Sequence, residues 1–316
     1  MPPADRVTVA VPTFRRPAEL RRLLVALRGV PAEIDGMPVG VLIVDNDPEG
    51  SAAPVVAEVL PAARYVSEPH PGLAAVRNRA LDESADSRWL AFIDDDEVPL
   101  DGWLPALVRC ARSRGAAGVL GRVVSETAIP MSAFLLAFGA FRRPPHRTGD
   151  PLSAAATNNL LLDLDFVRAT QLRFDPRLGM SGGEDNLFTT RLRRAGGKLI
   201  WCDDAVIIEH VPAERVTRRW IQQRTFRTGT VATVVAVLAA DTRGGRLEAR
   251  IRFCAGGTVR LVVGLAQLSG GVILRSVRWR ARGTRRLLRG AGMIAGTLGY
   301  VHQEYARRRR SGAPRA

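Results

Sequence analysis

The chain has 316 residues, of which 46% are apolar, so it can bury a sizeable core, which argues against wholesale disorder. The net charge of +15 is unevenly distributed, because residues 211–316 hold 22 Arg against four acids while residues 1–210 are nearly neutral. A neutral body with a strongly basic end indicates attraction to a polyanion, either an anionic membrane or nucleic acid. The first residues lack a leader pattern, so we do not expect secretion, and three distant cysteines predict buried thiols in a reducing compartment.

Short apolar runs rich in β-branched residues alternate with helical periodicity along the chain. The first half predicts strands at 7–13, 39–45, 64–67, 89–93 and 119–124, and helices that begin near 17, 73 and 101. The second half predicts strands at 158–163, 198–202 and 205–209, a helix at 184–194 and a mobile loop at 141–156. This alternation predicts an α/β fold with a doubly wound, mostly parallel sheet flanked by helices.

Polar residues stand at the carboxyl ends of four predicted strands. In a parallel α/β sheet these ends share one edge, and ligands bind beyond that edge. The residues concerned are Thr13, Arg15, Asp45, Asn46, Glu68, Asp94, Asp95 and Asp96. Because independent segments converge there, we expect a single binding rim.

Asp94, Asp95 and Asp96 directly follow the apolar strand 89–93. Adjacent carboxylates repel one another, so a buried rim tolerates them only with a compensating cation. Hard oxygen ligands favour Mg²⁺ or Mn²⁺, and Mg²⁺ commonly binds through one or two carboxylates together with substrate phosphates. The alternative is a solvated acidic turn that caps the next helix.

Five segments, VAVPTFRRP, LIVDND, GLAAVRNRAL, FIDDDE and GGEDNLFTTRLRRAG, follow one another in an order that resembles family 2 glycosyltransferases. The resemblance covers about residues 6–227 and implies the GT-A fold. It also implies inverting transfer of a sugar from a nucleoside-diphosphate sugar, with UDP the expected nucleotide, to a hydroxyl of a glycan or lipid-linked glycan. The segment EHVPAERVTRRWIQQRTFRTG resembles membrane-associated bacterial enzymes of succinoglycan type, and it lacks the QxxRW order of processive synthases.

The resemblance also implies roles for individual residues. It assigns the donor nucleotide to Pro12, Thr13, Arg15, Asp45, Arg77, Asp94 and Asp95. It assigns the metal, Mn²⁺ or Mg²⁺, to Asp96 with His210 as a further ligand, and catalysis to Asp185 as general base with Glu184 in support. Further diphosphate or acceptor contacts are expected at Asn158, Asn159, Trp220, Arg224 and Arg227.

Several of these roles have a structural alternative. Glu184 and Asp185 would serve equally as acids of a helix N-terminus, which favours negative charge. His210 would serve as a hydrogen-bonded structural residue. Trp220, Arg224 and Arg227 recur at helical spacing and would also suit an amphipathic face that rests on lipid.

The chain divides by composition into a catalytic domain at 1–227 and a basic, helical, membrane-associating region at 228–316. The charge-free runs of that region are 13 or 14 residues long, at 228–240, 261–274 and 290–302, and so fall short of the roughly 20 residues needed to span a bilayer. We therefore expect helices in the interface, at the cytoplasmic side of the cell membrane. A longer segment, Ala255–Leu274, would span or re-enter the bilayer only at the energetic cost of placing Arg260 within it. The alternative is a helical subdomain packed on the sheet.

Two other functions remain open at this point. A polyprenyl-phosphate sugar synthase would use a lipid phosphate as acceptor, and Asp185 would then matter less because no hydroxyl proton is removed. A catalytically silent scaffold would need neither the triple-aspartate motif nor the Glu184–Asp185 motif. We do not expect nucleic acid as a partner, because no recognised nucleic-acid module occurs.

Overall fold

The computed structural model describes residues 4–300. Its strands are β1 Ala4–Thr13, β2 Glu33–Ile34, β3 Met37–Asp45, β4 Arg64–Ser67, β5 Ser87–Phe92, β6 Glu97–Pro99, β7 Gly118–Thr127, β8 Leu160–Asp163 and β9 Leu199–Val211. Its α-helices are α1 Pro17–Leu27, α2 Ala53–Val59, α3 Leu73–Glu83, α4 Trp103–Arg114, α5 Ala133–Phe138, α6 Leu164–Ala169, α7 Glu184–Arg194, α8 Arg218–Ala239, α9 Arg243–Ile273 and α10 Val277–Thr297.

The strands form one mixed sheet in the order β2-β3-β1-β5-β8-β7-β9-β6, with β4 also paired to β3. Strands β1, β3, β4 and β5 are parallel, as predicted. The second half is more antiparallel than predicted, because β8 runs against both β5 and β7, and β6 runs against β9. The expected α/β sheet flanked by helices is confirmed, and the antiparallel strands extend it beyond a simple doubly wound order.

The core lies on both faces of the sheet, because successive residues of β1 point to opposite sides. Val7, Val9 and Val11 pack beneath α1, α2 and α4. Ala10 packs with Phe92 on the other side, beneath α3, α6 and α7. Burial on both faces explains why these strands are continuous apolar runs.

Most predicted elements are present within a few residues of their expected bounds. The predicted apolar face of α1 is buried at Leu20, Leu23, Leu24 and Leu27. The two strands predicted at 198–202 and 205–209 are one strand, β9, whose register against β7 shifts near its middle. One prediction was wrong: Cys254 is exposed on α9, whereas Cys110 and Cys202 are buried.

Three long helices follow β9, and α10 lies between α8 and α9. The first of them, α8, runs without interruption through residue 227. The expected division of the chain into two domains at that residue remains a prediction. The predicted charge-free run at 290–302 is described only as far as residue 300.

Glycines allow these helices to approach closely. Gly257, Gly264 and Gly271 recur every seven residues on α9 and are buried against α10. On the other side of α10, Gly292 lies against the backbone of Phe226 in α8. Because a glycine carries no Cβ, two backbones come closer here than larger residues allow.

Almost everything that α9 buries is glycine or alanine. Its large apolar side chains face outward, including Ile251, Val262, Leu265 and Val272. Among the described helices, α9 alone is long and apolar enough to cross a membrane, and only 11% of its apolar window is buried. The outer face of α9 is therefore an apolar surface that no other described element covers.

We predict that Gly292→Ala destabilises the helical bundle. A Cβ at this position would meet the Phe226 carbonyl oxygen at 2.0 Å, a contact that only backbone movement relieves. We expect a loss of about 1–3 kcal/mol in the free energy of unfolding, measured by circular dichroism. The control is Gly244→Ala, where a Cβ would meet nothing within 4 Å. An equal effect of the two substitutions would contradict close helix packing.

Candidate functional site

The ends of the first strands meet at one edge of the sheet. Thr13 and Asp45 are register partners at the ends of β1 and β3. Beyond them the backbone pairing continues, because the Asn46 amide donates to the Thr13 carbonyl and the Glu68 amide donates to the Asp45 carbonyl. The structure thus assembles the rim that the strand ends predict.

The acidic loop between β5 and β6 is held by hydrogen bonds from distant parts of the chain. Asp95 accepts from the Thr13 hydroxyl at 2.8 Å and from Arg16 at 2.9 Å. Asp96 accepts from Arg16 at 3.1 Å and from Arg215 at 3.3 Å. Two guanidinium groups therefore partly neutralise two adjacent carboxylates, and Arg215 brings the chain after β9 to this loop.

The carboxylates of this loop still exceed its cations. Glu97 is buried, and its side chain accepts from the Asp94 amide at 3.0 Å and from Asn158 at 2.9 Å. Burial raises the pKa of Asp94, the charge of Arg77 opposes that shift, and the negative charges of Asp96, Asp95 and Asp185 add to it, so that the pKa is about 7. Burial likewise raises the pKa of Asp95 to about 6 and that of Glu97 well above its usual range.

Arg77 and Glu184 form an ion pair beneath the loop, and both side chains are almost completely buried. Breaking a buried pair of this kind costs about 3–5 kcal/mol, because one charge is left without a partner. Glu184 therefore holds α7 against α3, and its expected role in supporting Asp185 stays a prediction. The burial of Arg77 gives it a structural position rather than a surface from which to touch a nucleotide.

Asp185 differs from its neighbour Glu184. Its carboxylate is half-buried and accepts hydrogen bonds from the Asn186 amide at 2.6 Å and side chain at 2.9 Å. Among the described residues no arginine, lysine or histidine pairs with it. Asp185 is thus an accessible carboxylate beside the acidic loop, as a general base requires.

Asp45 organises the loop that follows β3. Its fully buried carboxylate accepts from the Asp47 amide at 2.9 Å, the Ala52 amide at 3.0 Å and the Tyr65 hydroxyl at 3.0 Å. The carboxylate of Asp45 is therefore engaged within the loop, and its expected contact with a nucleotide base stays a prediction. Arg15 is exposed nearby and pairs with Asp47 at 3.1 Å.

Two other expected contacts lie elsewhere than anticipated. Asn159 is fully buried, and its side chain accepts from the Trp103 indole at 2.6 Å and donates to two backbone carbonyls, so it belongs to the core. The His210 amide donates to the Asp96 carbonyl at 3.1 Å, but its imidazole points toward Glu126 at 4.0 Å. His210 therefore touches the acidic loop through its backbone. Pro12 is buried within β1.

Trp220, Arg224 and Arg227 lie on α8, as their spacing predicts. Phe141, in the loop at 141–156, stacks on Trp220 with ring centroids 5.8 Å apart, and the Arg224 guanidinium lies over both rings. This contact seats the loop against α8 next to the rim.

The residues that sequence reasoning missed are Arg16, Glu97 and Arg215. Four consecutive acids require nearby cations to balance their charge, so the sequence already indicated that arginine partners were needed. The choice between Arg15 and Arg16 depends on a turn in which Arg15 takes a left-handed conformation (φ 54°), and no spacing rule provides that.

The acidic loop suits a divalent cation by the chemistry of its donors. It offers carboxylate oxygens, and the pKa values of Asp94 and Asp95 are raised first by burial and then by the negative charges of neighbouring carboxylates. A bound cation would offset both causes. Within residues 4–300 no three metal-ligating side chains converge. The fit is therefore to an ion held by one or two carboxylates, with the remaining ligands supplied by substrate phosphates and water.

Comparison with known proteins identifies the family. Residues 8–134 match the model of glycosyl transferase family 2. The chain is 36% identical over 231 residues to the succinoglycan biosynthesis protein ExoM of Rhizobium meliloti (strain 1021), covering 71% of this chain and 72% of that protein. It is 30% identical over 244 residues to the pre-mycofactocin glycosyltransferase of Mycobacterium tuberculosis, of which it covers 47%. The chain belongs to glycosyl transferase family 2.

Solved structures show the same fold at low identity. The mannosyltransferase PcManGT from Pyrobaculum calidifontis, in complex with GDP-Man and Mn²⁺, aligns with a TM-score of 0.62 at 17% identity, covering 93% of this chain and 87% of that one. A fragment of S. aureus TarS in complex with UDP-GlcNAc aligns with a TM-score of 0.52 at 15% identity, covering 78% and 69%. The GT-A-like fold is thereby confirmed.

We predict that Asp94→Asn gains stability relative to the wild type as the pH rises from about 4 to about 7 without added divalent cation. The folded-state pKa of Asp94 is raised from 3.8 to about 7, so in this window the folded protein binds a proton that the unfolded chain has lost, and ionising Asp94 weakens the fold. We expect a difference of about 2 kcal/mol, measured by urea unfolding. The exposed Asp86→Asn is the control, and parallel pH profiles of Asp94→Asn and wild type would refute the burial of this charge.

Proposed function

We propose that this member of glycosyl transferase family 2 transfers one sugar, with inversion, from a nucleoside-diphosphate sugar to an acceptor hydroxyl. The observation that carries the proposal is the pairing of two unlike acidic groups at one rim. The Asp94–Asp96 loop is rich in carboxylates that lack enough cations, whereas Asp185 is a single accessible carboxylate beside it. The first suits a metal and a diphosphate, and the second suits a general base.

Relatives support the choice of donor and product. PcManGT is described with GDP-Man and Mn²⁺, and TarS with UDP-GlcNAc, so the shared fold accommodates nucleotide sugars in both proteins. ExoM takes part in succinoglycan biosynthesis. We therefore propose a UDP-sugar as donor and a glycan of an exopolysaccharide, carried on a lipid, as acceptor.

The chain's own residues divide the reaction between them. Asp94 and Asp95 would face the donor, and Asp96 would hold Mn²⁺ or Mg²⁺, which would supply stabilisation of negative charge on the leaving diphosphate. Arg16 and Arg215 keep the loop in place. The acceptor oxygen attacks the anomeric carbon while Asp185 takes its proton. The bond from that carbon to the diphosphate breaks, and the nucleoside diphosphate leaves with the electron pair.

The direct test is Asp185→Asn, assayed for sugar transfer and for UDP or GDP binding by calorimetry with and without Mn²⁺. We expect transfer to fall at least about a hundredfold, because general-base catalysis is lost, while nucleotide binding is retained. Asp96→Ala should instead remove the metal-dependent part of nucleotide binding. The control is Asp203→Asn, a change of the same kind at a partly exposed position on β9.

Other outcomes decide between the alternatives. Unchanged turnover in Asp185→Asn would exclude the base assignment and favour a lipid phosphate acceptor, which carries no hydroxyl proton. A wild-type chain that binds no nucleotide in either condition would instead be a silent scaffold.

We also propose that α9 rests on the cytoplasmic face of the membrane, in the plane of the interface. Its outer face is apolar, as an interfacial helix requires. It does not span the bilayer in this proposal, because α10 runs antiparallel along it through the Gly257–Gly271 contacts. A spanning α9 would carry the arginines of α10 to the bilayer centre, at about 3 kcal/mol or more each.

The membrane proposal is tested by sedimentation with phosphatidylglycerol vesicles. In Val262→Asn/Leu265→Asn two α9 side chains that are 65% and 58% exposed become polar, so we expect binding to fall about tenfold or more. The control is Val25→Asn on α1, which is 53% exposed on the catalytic unit. Equal binding of all three proteins would refute the role of α9.

A further inference from the structure

A groove separates the catalytic sheet from α10. It consists of two adjoining cavities of about 680 and 260 Å³ that share Phe138, Gly139, Arg142 and Arg285. Their walls come from α5, the segment after it, α8 and α10, and β7 and β9 contribute Ser125 and Glu209 to the smaller cavity. We call this feature the arginine groove, because Arg278, Arg282, Arg285 and Arg289 of α10 and Arg142, Arg143 and Arg224 line it.

The four arginines of α10 lie on one helix face. Their spacing of four, three and four residues repeats the helical period, so like charges stand one turn apart and repel. Arg285 donates to the Phe138 carbonyl at 3.1 Å. Within the part of the chain that the structure describes, Arg282 and Arg289 pair with no carboxylate. Solvent weakens the repulsion among Arg278, Arg282 and Arg285, which are exposed, and an anion in the groove would relieve what remains.

Arg289 shows the imbalance most clearly. It is half-buried, and burial together with the nearby charges of Arg260 and Arg285 lowers the pKa of its guanidinium. A desolvated cation whose charged neighbours are cations is destabilising unless a ligand compensates it. Arginine forks match phosphate oxygens, so a phosphate or diphosphate is the anion that this wall fits.

The other wall of the larger cavity is apolar. Leu136 is 60% exposed there, and Ala133, Ala137 and Val277 continue the surface. A free phosphate makes no use of such a wall, whereas an anion joined to a hydrocarbon chain contacts both walls at once. The two walls together therefore suit an amphipathic phosphate.

The smaller cavity reaches toward the acidic loop. Glu209 lines it, and Glu209 is the register partner of Glu97 across the β6–β9 ladder. Paired residues in an antiparallel ladder lie about 5 Å apart between Cα atoms, so an anion in the groove is close to the transfer site. Glu209 is itself engaged, by Ser125 at 2.7 Å and Arg143 at 3.0 Å, and so leaves the α10 arginines to a ligand.

We infer that the arginine groove binds the phosphate or diphosphate of a lipid-linked acceptor, with the lipid chain along Leu136 and Val277 and the glycan directed toward Asp185. This inference rests on the proposed function for the identity of the acceptor. The groove contains no residue of the Asp94–Glu97 loop, so donor and acceptor phosphates have separate sites.

The test measures binding of farnesyl diphosphate, a short amphipathic diphosphate, to Arg282→Gln/Arg289→Gln. We expect affinity to fall about tenfold or more, because two charge-assisted contacts are lost. Because neither arginine has a carboxylate partner among the described residues, we expect the melting temperature to be maintained or raised. The control is Arg280→Gln/Arg286→Gln, which removes the same charge from the same helix at positions that line neither cavity.

Three further measurements separate the groove from other sites. UDP binding with Mn²⁺ should be the same in both variants. A wild-type chain that binds farnesyl diphosphate but no nucleotide would refute the proposed function and would still support the binding of a lipid-linked phosphate in the arginine groove. Inorganic pyrophosphate that binds as tightly as farnesyl diphosphate would overturn the lipid assignment. An equal loss of farnesyl diphosphate and phosphatidylglycerol vesicle binding in both variants would reduce the groove to general electrostatic attraction and overturn the inference.

Discussion

The structure depends on keeping several carboxylates together at the end of a buried strand. Four consecutive acids, Asp94 to Glu97, follow β5 after Ile93, and their partial or complete burial makes ionising them costly. Arginines from two separated segments pair with these carboxylates, Arg16 before α1 and Arg215 after β9. Arg77 in α3 pairs with Glu184 instead, and its charge acts on Asp94 from there. The pairs of Arg16 and Arg215 fix the start of α1 and the exit from β9 relative to the sheet, and they leave part of the negative charge uncompensated.

The sequence predicted the features that depend on local pattern. Apolar runs and helical periods located β1, β3, β4, β5 and α7 closely, because burial on both sheet faces leaves a continuous apolar signal. Short helices such as α2 and α5 were not predicted, since six or seven residues carry less than two helical periods. The antiparallel pairing of strands in the second half of the sheet was not predicted either. The order of strands there departs from their order in the chain, and no local sequence pattern indicates that order.

The candidate site was likewise predictable from the sequence only in part. The identity of its acids was visible in the sequence, but the partner of each acid was not. Glu184 and Asp185 are adjacent and chemically alike, yet one is buried against Arg77 and the other remains accessible. Asn158 and Asn159 separate likewise, the first toward Glu97 and the second into the core. Adjacent side chains point in different directions from the backbone, and this difference decides each case. Only the tertiary structure shows which of the two directions faces the core.

The position of β9 in the sheet has a consequence for biosynthesis. Strands β1, β3, β4 and β5 can pair once about a third of the chain has left the ribosome, but β6 and one edge of β7 have no partner until β9 is made. Arg215 follows only a few residues later. Arg16 is made before the acidic loop, but Arg215 is made more than a hundred residues after it. Over that length the nascent chain carries an open sheet edge and an acidic loop whose charge is only partly compensated. Folding of this enzyme is completed from its carboxyl-terminal side.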